Sequence, residues 1–315
     1  MSDKAIIMKD ICKDFKVLNR HEGLKGSIRD LFSRDYKTIS AVKNVSLAAD
    51  AGEIIGYLGP NGAGKSTTIK IMTGVLEPTS GEILVNGAVP YKDRTRNAEN
   101  IGVVFGQRSQ LWWSLPLIES FKLLRDIYMV PQKDYKEMID LYSSLVDMSP
   151  ILDKPVRQMS LGQRTLSDIL AAFLHNPAIV FLDEPTIGLD VSMKSKIREL
   201  IKGLNREKNT TVILTTHDMG DVDALCKRIV IIDKGSKIYD NDISHLKSFF
   251  GSYRLLRIKG SDDEWQEELI DERERSVMDV ISSRQKSMKI KDIELQDIST
   301  EEIIKKIYEG GAGLK

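Results

Sequence analysis

One stretch, "EIIGYLGPNGAGKSTTIKIM" (residues 53–72), constrains the chain more than any other. An apolar run leads straight into a glycine-rich loop, and a helix-like segment from Lys65 to Met72 follows. Within it Gly59, Gly64, Lys65 and Ser66 satisfy the spacing G-x-x-x-x-G-K-[ST]. That pattern needs these residue types, because glycines let backbone N–H groups turn inward and the helix start favours negative charge. We therefore expect Gly59, Pro60, Asn61, Gly62, Ala63, Gly64, Lys65, Ser66 and Thr67 to wrap a polyphosphate. Lys65 reaches the terminal phosphates and the Ser66 hydroxyl binds Mg²⁺. The competing reading is a glycine-rich turn with no ligand.

A strand feeding such a loop belongs in a parallel sheet, and the rest of the chain agrees. "AIVFLD", "SMKSKIRELIKGL", "TTVILTTH" and "VDALCKRIVIID" alternate apolar strand runs with helical periodicity, the mark of a largely parallel sheet covered by helices. Before the loop, "AIIMKDI" and "NVSLAA" read as short strands, and "GEILVNG" ends in an Asn-Gly turn. Residues 114–150 carry apolar residues at helical spacing. After 250 the character changes: "YRLLRIKG" and "MKIKDIEL" read as strands, "DDEWQEELIDERER" as a charged segment. Ser299 and Glu302 stand at capping-box spacing before "EEIIKKIY". The expected fold class is α/β, with a main domain over 4–250 and a small αβ appendage over 251–315.

Composition excludes more than it identifies. Lys and Arg number 46 and Asp and Glu 46, a balance that argues against a general grip on nucleic acid. Cys12 and Cys226 are the only cysteines and have no metal spacing, so a reducing compartment is expected. The start "MSDKAIIMKD" lacks a signal-peptide core, and no apolar stretch approaches a membrane span.

Further polar residues fall at strand ends, where open α/β sheets bind ligands. Asp183 and Glu184 close "AIVFLDEP". Asp183 suits the Mg²⁺ shell, and Glu184 is placed to polarise an attacking water. The alternative is a solvated pair beside a turn proline. Gln107 follows "VVFG" and offers a neutral amide to metal and water. His217 closes "TVILTTH", where an imidazole can meet a γ-phosphate, although a lone histidine there is more often structural. Asp190, in "PTIGLD", is by itself a turn acid.

"RQMSLGQRTL" (157–166) resembles a second anion grip. Ser160 and Gln163 stand at capping-box spacing, and Leu166, Ile169, Leu170, Phe173 and Leu174 share one face of the helix they open. Taken alone, an ordinary capped helix explains this segment.

Taken in order, the phosphate loop, Gln107, "SLGQ", "FLDEP", "GLD" and "TTH" resemble the ATP-binding subunits of ABC transporters over roughly residues 4–250. The resemblance implies a P-loop ATPase core, an antiparallel N-terminal β subdomain and a helical subdomain at about 108–176. It implies that ATP and Mg²⁺ are bound between two subunits packed head to tail, a homodimer or a pair with a closely related ATPase. The Ser160, Gly162 and Gln163 helix start would then grip the γ-phosphate held on the other subunit, and Asp190 would join the nucleotide site. It further implies an integral-membrane permease, a place on the cytoplasmic face of the membrane, and no nucleic-acid partner. The chain departs from the family pattern at Met159, Leu161, Asp168 and Ala171. These departures and "VVFGQRSQLWWSLPLIES" are similar to the branch of viologen, drug and lipid exporters. The alternative is a soluble ABC ATPase acting on ribosomes or DNA.

Phe15 falls where this family stacks an aromatic on adenine; a core phenylalanine is the competing reading. Trp112 and Trp113 suit either a socket for a permease helix or packing inside the helical subdomain. The segment "HEGLKGSIRDLFSRDYKT" presents Leu24, Ile28, Leu31 and Phe32 on one helical face. Packing on the permease or β subdomain is favoured over contact with lipid.

Overall fold

The computed structural model describes residues 4–18, 36–106, 109–260 and 263–308. The 20–38 insertion falls almost entirely outside them, as do Gln107 and the chain's last residues. The described residues divide into two compact units, before and after the Asp240–Asn241 bond. This division lies N-terminal to the expected boundary at 250.

In the first unit, β1 (Lys4–Leu18) and β2 (Tyr36–Asp50) pair antiparallel from Lys4↔Asp50 to Leu18↔Tyr36. Both extend well beyond the short apolar runs seen in sequence. Their apolar parts supply Ile6, Met8, Ile11, Val45 and Leu47 to the core, while the polar ends continue as a more exposed ribbon. β4 (Ser80–Val85) adds to the other edge of β1.

β3 (Ile54–Leu58) is buried from Ile55 onward, with Ile55, Tyr57 and Leu58 at 0% exposure. It lies inside a six-stranded sheet ordered β5-β6-β7-β3-β8-β9. The other members are β5 (Ile101–Phe105), β6 (Ile179–Asp183), β7 (Thr211–Thr215), β8 (Arg228–Asp233) and β9 (Ser236–Asp242). Each pairing from β5 across to β8 is parallel. Covering on both faces explains why these strands read as continuous apolar runs. β8 and β9 are joined at Lys234 and Gly235, both at positive φ (47° and 85°), as a two-residue hairpin turn requires. That turn reaches back to the phosphate loop. Gly235 N–H donates to the Ala63 carbonyl at 3.0 Å, and its own carbonyl accepts from Lys43 N–H at 2.7 Å.

Helices flank the sheet: α1 (Lys65–Met72), α2 (Arg94–Asn100), α3 (Leu117–Ile127), α4 (Gln132–Leu145), α5 (Leu161–Phe173), α6 (Val191–Lys208) and α7 (Met219–Leu225). "VDALCKRIVIID" is thus split, its first residues closing α7 before β8 begins. α3, α4 and α5 form the helical part. Buried Tyr142 on α4 donates its hydroxyl to the Leu170 carbonyl at 2.6 Å, and its ring meets Phe121 edge-on at 6.2 Å. α5 lies hard against β5, since a side chain at Gly102 would collide with the Ala172 carbonyl. Trp112 and Trp113 stay partly exposed (37% and 53%), and the Arg164 guanidinium lies 4.6 Å from the Trp113 ring.

The second unit holds α8 (Ile243–Phe249), then a sheet ordered β11-β10-β12, from β10 (Tyr253–Lys259), β11 (Trp265–Asp271) and β12 (Asp292–Asp297). Its helices are α9 (Val277–Ser287) and α10 (Thr300–Tyr308). Leu256, Ile258, Ile270, Val277 and Val280 form its core. The capping box at Ser299 is present, with Glu302 Oε2 accepting from Ser299 N–H at 2.8 Å. The segment read only as charged contains β11, held to its neighbour by Arg257–Glu267 at 3.0 Å.

Candidate active site

The site is built where β3 and β6 end. After Leu58 the chain enters the loop, and Gly64 forms the N-cap of α1 at φ 106°. An L side chain there is strained, and its Cβ would run into the Ala41 carbonyl, so only glycine lets the loop close on β2. Lys65 turns its Nζ to the carbonyls of Gly59 (2.5 Å) and Pro60 (3.2 Å). Burial lowers its pKa, against the opposing pull of Glu184 and Asp183.

Those acids share a cavity with the loop. A space of about 290 Å³ is lined by Pro60, Asn61, Gly62, Gly64, Lys65, Ser66 and Thr67, with Ala41, Asp183 and Glu184 completing the wall. Asp183 ends β6 opposite Thr215, whose hydroxyl donates to Asp183 Oδ1. Glu184 has left the strand: its φ is 54°, in the left-handed region that a non-glycine residue occupies only when its surroundings impose it. Part of that imposition is the bond from Glu184 N–H to the Thr215 carbonyl at 2.9 Å. The turn aims the carboxylate at His217, whose Nδ1 lies 2.7 Å from Glu184 Oε2. Donation from Nδ1 leaves Nε2 free to face a substrate.

The remaining candidates stand elsewhere on the chain. Ser160 caps α5, accepting from Gln163 N–H at 3.2 Å, while Gln163 Oε1 accepts from Ser160 N–H at 3.1 Å. Neither they nor Gly162 line the 290 Å³ cavity. Leu161 takes the first helical position, where no positive φ is needed, and is exposed. Asp190 caps α6, accepting from Met193 N–H at 2.9 Å. Phe15 is half-buried on β1 opposite Ile39, outside the core, with Lys13 Nζ 5.5 Å from its ring centre. Gln107 lies outside the described residues.

Sequence reasoning missed Thr215, which orients Asp183, and a buried acid, Asp221, behind the Glu184–His217 pair. Thr215 closes a run of residues that are all buried, so in sequence it read only as a strand end. Asp221 sits between two other acids, Asp218 and Asp223, in "HDMGDVD" and carries no spacing signal.

A family model described as "ABC transporter" matches residues 42–187. The ABC transporter ATP-binding protein NatA of Bacillus subtilis (strain 168) is 34% identical over 68% of this chain and 87% of its own length. ABC transporter A family member 1 of Dictyostelium discoideum is 35% identical over 73% of this chain, and human cholesterol transporter ABCA5 is 33% identical over 86%. The chain spans only 26% and 16% of the length of those two relatives. Among solved structures, a dimeric bacterial ABC transporter cassette superposes with a TM-score of 0.61 at 27% identity, covering 76% of this chain and 98% of its own. A cassette in a post-hydrolysis state bound to ADP and Pi gives 0.59 at 26% identity, over 76% of this chain and 98% of its own. The fold and site described above define a P-loop α/β ATPase with an antiparallel β subdomain. The chain belongs to the ABC transporter ATP-binding family.

Proposed function

We propose that this chain is the ATP-hydrolysing subunit of an exporter, pairing head to tail with a second copy or a close relative and driving a separate membrane permease. The observation that carries this reading is the convergence of Lys65, Ser66, Asp183 and Glu184 on one cavity, with His217 bonded to Glu184. Phosphoryl transfer of this type depends on positioning and electrostatics, and these residues supply both. Lys65 neutralises charge on the transferred phosphate, Glu184 orients and polarises the attacking water, and His217 Nε2 donates to the γ-phosphate when both ring nitrogens carry a proton. Gln107 is assigned to the same water and to the metal.

The cavity's donors also suit magnesium. Among the described residues no group of three or more His, Cys, Asp or Glu could hold a metal ion by itself. Mg²⁺ is ordinarily held by one or two protein oxygens together with substrate phosphates. Ser66 Oγ and the Asp183 carboxylate line the cavity together and match that habit. When bound, the ion neutralises charge on the phosphates.

Ser160, Gly162 and Gln163, capped and turned away from this chain's own cavity, are assigned to the partner's ATP, and Asp190 to the same junction. Phe15 is assigned to the adenine. Exposed Trp113, steadied by Arg164, is assigned with Trp112 to the permease. Among the described residues no helix is long and apolar enough to cross a membrane. The transmembrane path is assigned to the permease, and this chain to the cytoplasmic face of the membrane. We assign residues 4–250 to this ATPase domain, with its helical subdomain at about 108–176, and 251–315 to an appendage.

The test is Glu184→Gln. ATP binding, measured by equilibrium titration, should persist while turnover falls by roughly 10²–10⁴. Near-normal hydrolysis in that variant removes the reading.

A further inference from the structure

Two loops must hold their side chains in register for the proposed chemistry. One carries Glu184 after β6, the other carries His217 after β7. Behind them lies Asp221, at 0% exposure on the first turn of α7. Its carboxylate is fully occupied. Oδ1 accepts from Arg198 Nε at 2.7 Å. Oδ2 accepts from two hydroxyls, those of Thr186 and of Thr216, the latter at 3.2 Å.

The identity of those partners matters. Thr186 follows Glu184 by two residues, and Thr216 immediately precedes His217. Both threonines are buried, at 1% and 2% exposure. Thr216 Oγ also accepts from Asp218 N–H at 2.9 Å, which closes the turn carrying His217. Arg198 stands on α6, the helix that Asp190 caps, and it reaches Asp218 as well at 3.3 Å. One carboxylate thus ties both catalytic loops and the helix between them. A lone buried carboxylate would be costly, but this one has a cationic partner and no unfilled oxygen.

We propose that Asp221 is a positioning residue for ATP hydrolysis, a shared anchor that sets the Glu184–His217 geometry through Thr186 and Thr216. This rests on the functional reading given above. Asp221 is fully buried and does not line the cavity of Lys65, Asp183 and Glu184. Its effect is to fix how two separate loop ends meet, and small misplacements of such groups cost rate far more than they cost binding.

The experiment compares Asp221→Asn, Thr216→Val and Glu184→Gln in the full chain. Readouts are kcat, KM, equilibrium ATP affinity and the ¹⁵N signals of the His217 imidazole, one of four histidines in the chain. Asp221→Asn keeps the shape and removes the charge. We expect kcat to fall about 10²-fold while KM and ATP affinity stay within about twofold. Thr216→Val should move kcat in the same direction, and both should shift the His217 resonances. Unchanged kcat in both variants, with Glu184→Gln inactive, overturns the anchor and leaves the functional reading standing. A parallel fall of affinity and kcat also overturns it, since that marks general loss of structure. If Asp221→Asn does not fold, Thr216→Val decides by the same split, because it alters no charge. If Glu184→Gln keeps its turnover, the functional reading fails and the anchor falls with it.

Discussion

Asp168 puts an ionisable group into the buried face of α5. Ser109 Oγ at 2.9 Å and Gln110 N–H at 3.1 Å donate to it, yet burial outweighs them and raises its pKa to about 6. A carboxyl raised above its unfolded value of 3.8 contributes stability that is complete below that value and is lost as pH climbs through about 6. The rise corresponds to on the order of 3 kcal/mol between the two limits. Asp168→Asn keeps one acceptor and cannot ionise. Its denaturation midpoint should therefore exceed wild type at pH 7.5 and converge on it, or fall below, near pH 4; urea titrations at both pH values decide this. The residue was legible as a departure from a small side chain, but its partners were not. They sit nearly sixty positions earlier, on a loop whose path follows from packing alone. The Glu184–His217 pair is similar: each residue stood out at a strand end, whereas their contact depends on a backbone turn at φ 54° that no local pattern announces.

At the level of elements, α5 shows a cap with two duties. Ser160→Ala removes one half of the capping box and should cost about 1 kcal/mol in a urea titration. Ser160→Asp caps equally well, so stability should return. Turnover should not, because a carboxylate repels the phosphate that the hydroxyl is assigned to grip. Recovery of both together would remove Ser160's role beyond the cap. α5 and α1 were readable because spacing, capping residue and apolar face agree with the final packing. β11 was not. Its sequence, "WQEELID", carries little apolar alternation, and Glu267 holds its place through a cross-strand pair with Arg257. α9 was missed for a related reason, since only Val277, Val280 and the partly buried Ile281 pack on the small core beneath it.

For the whole molecule, the strongest expectation concerns pairs of chains. If each ATP site is completed by the opposite subunit, Lys65→Ala copies and Ser160→Asp copies are separately inactive. Together they should assemble one undamaged site per mixed pair. Purified mixed pairs should then hydrolyse more ATP than either parent; equal rates would sink the head-to-tail reading. The parallel order β5-β6-β7-β3-β8 was foreseeable in kind from the alternation of strand and helix. The order itself was not, because it places β3 between strands drawn from more than 150 residues further along.

The hairpin at Lys234 and Gly235 carries a lesson for engineering. Its hydrogen bonds to Ala63 and Lys43 clamp the glycine-rich loop from behind. Anyone grafting this nucleotide pocket onto another scaffold must transplant three separate stretches of chain, because the familiar nine-residue signature is only the front of the clasp.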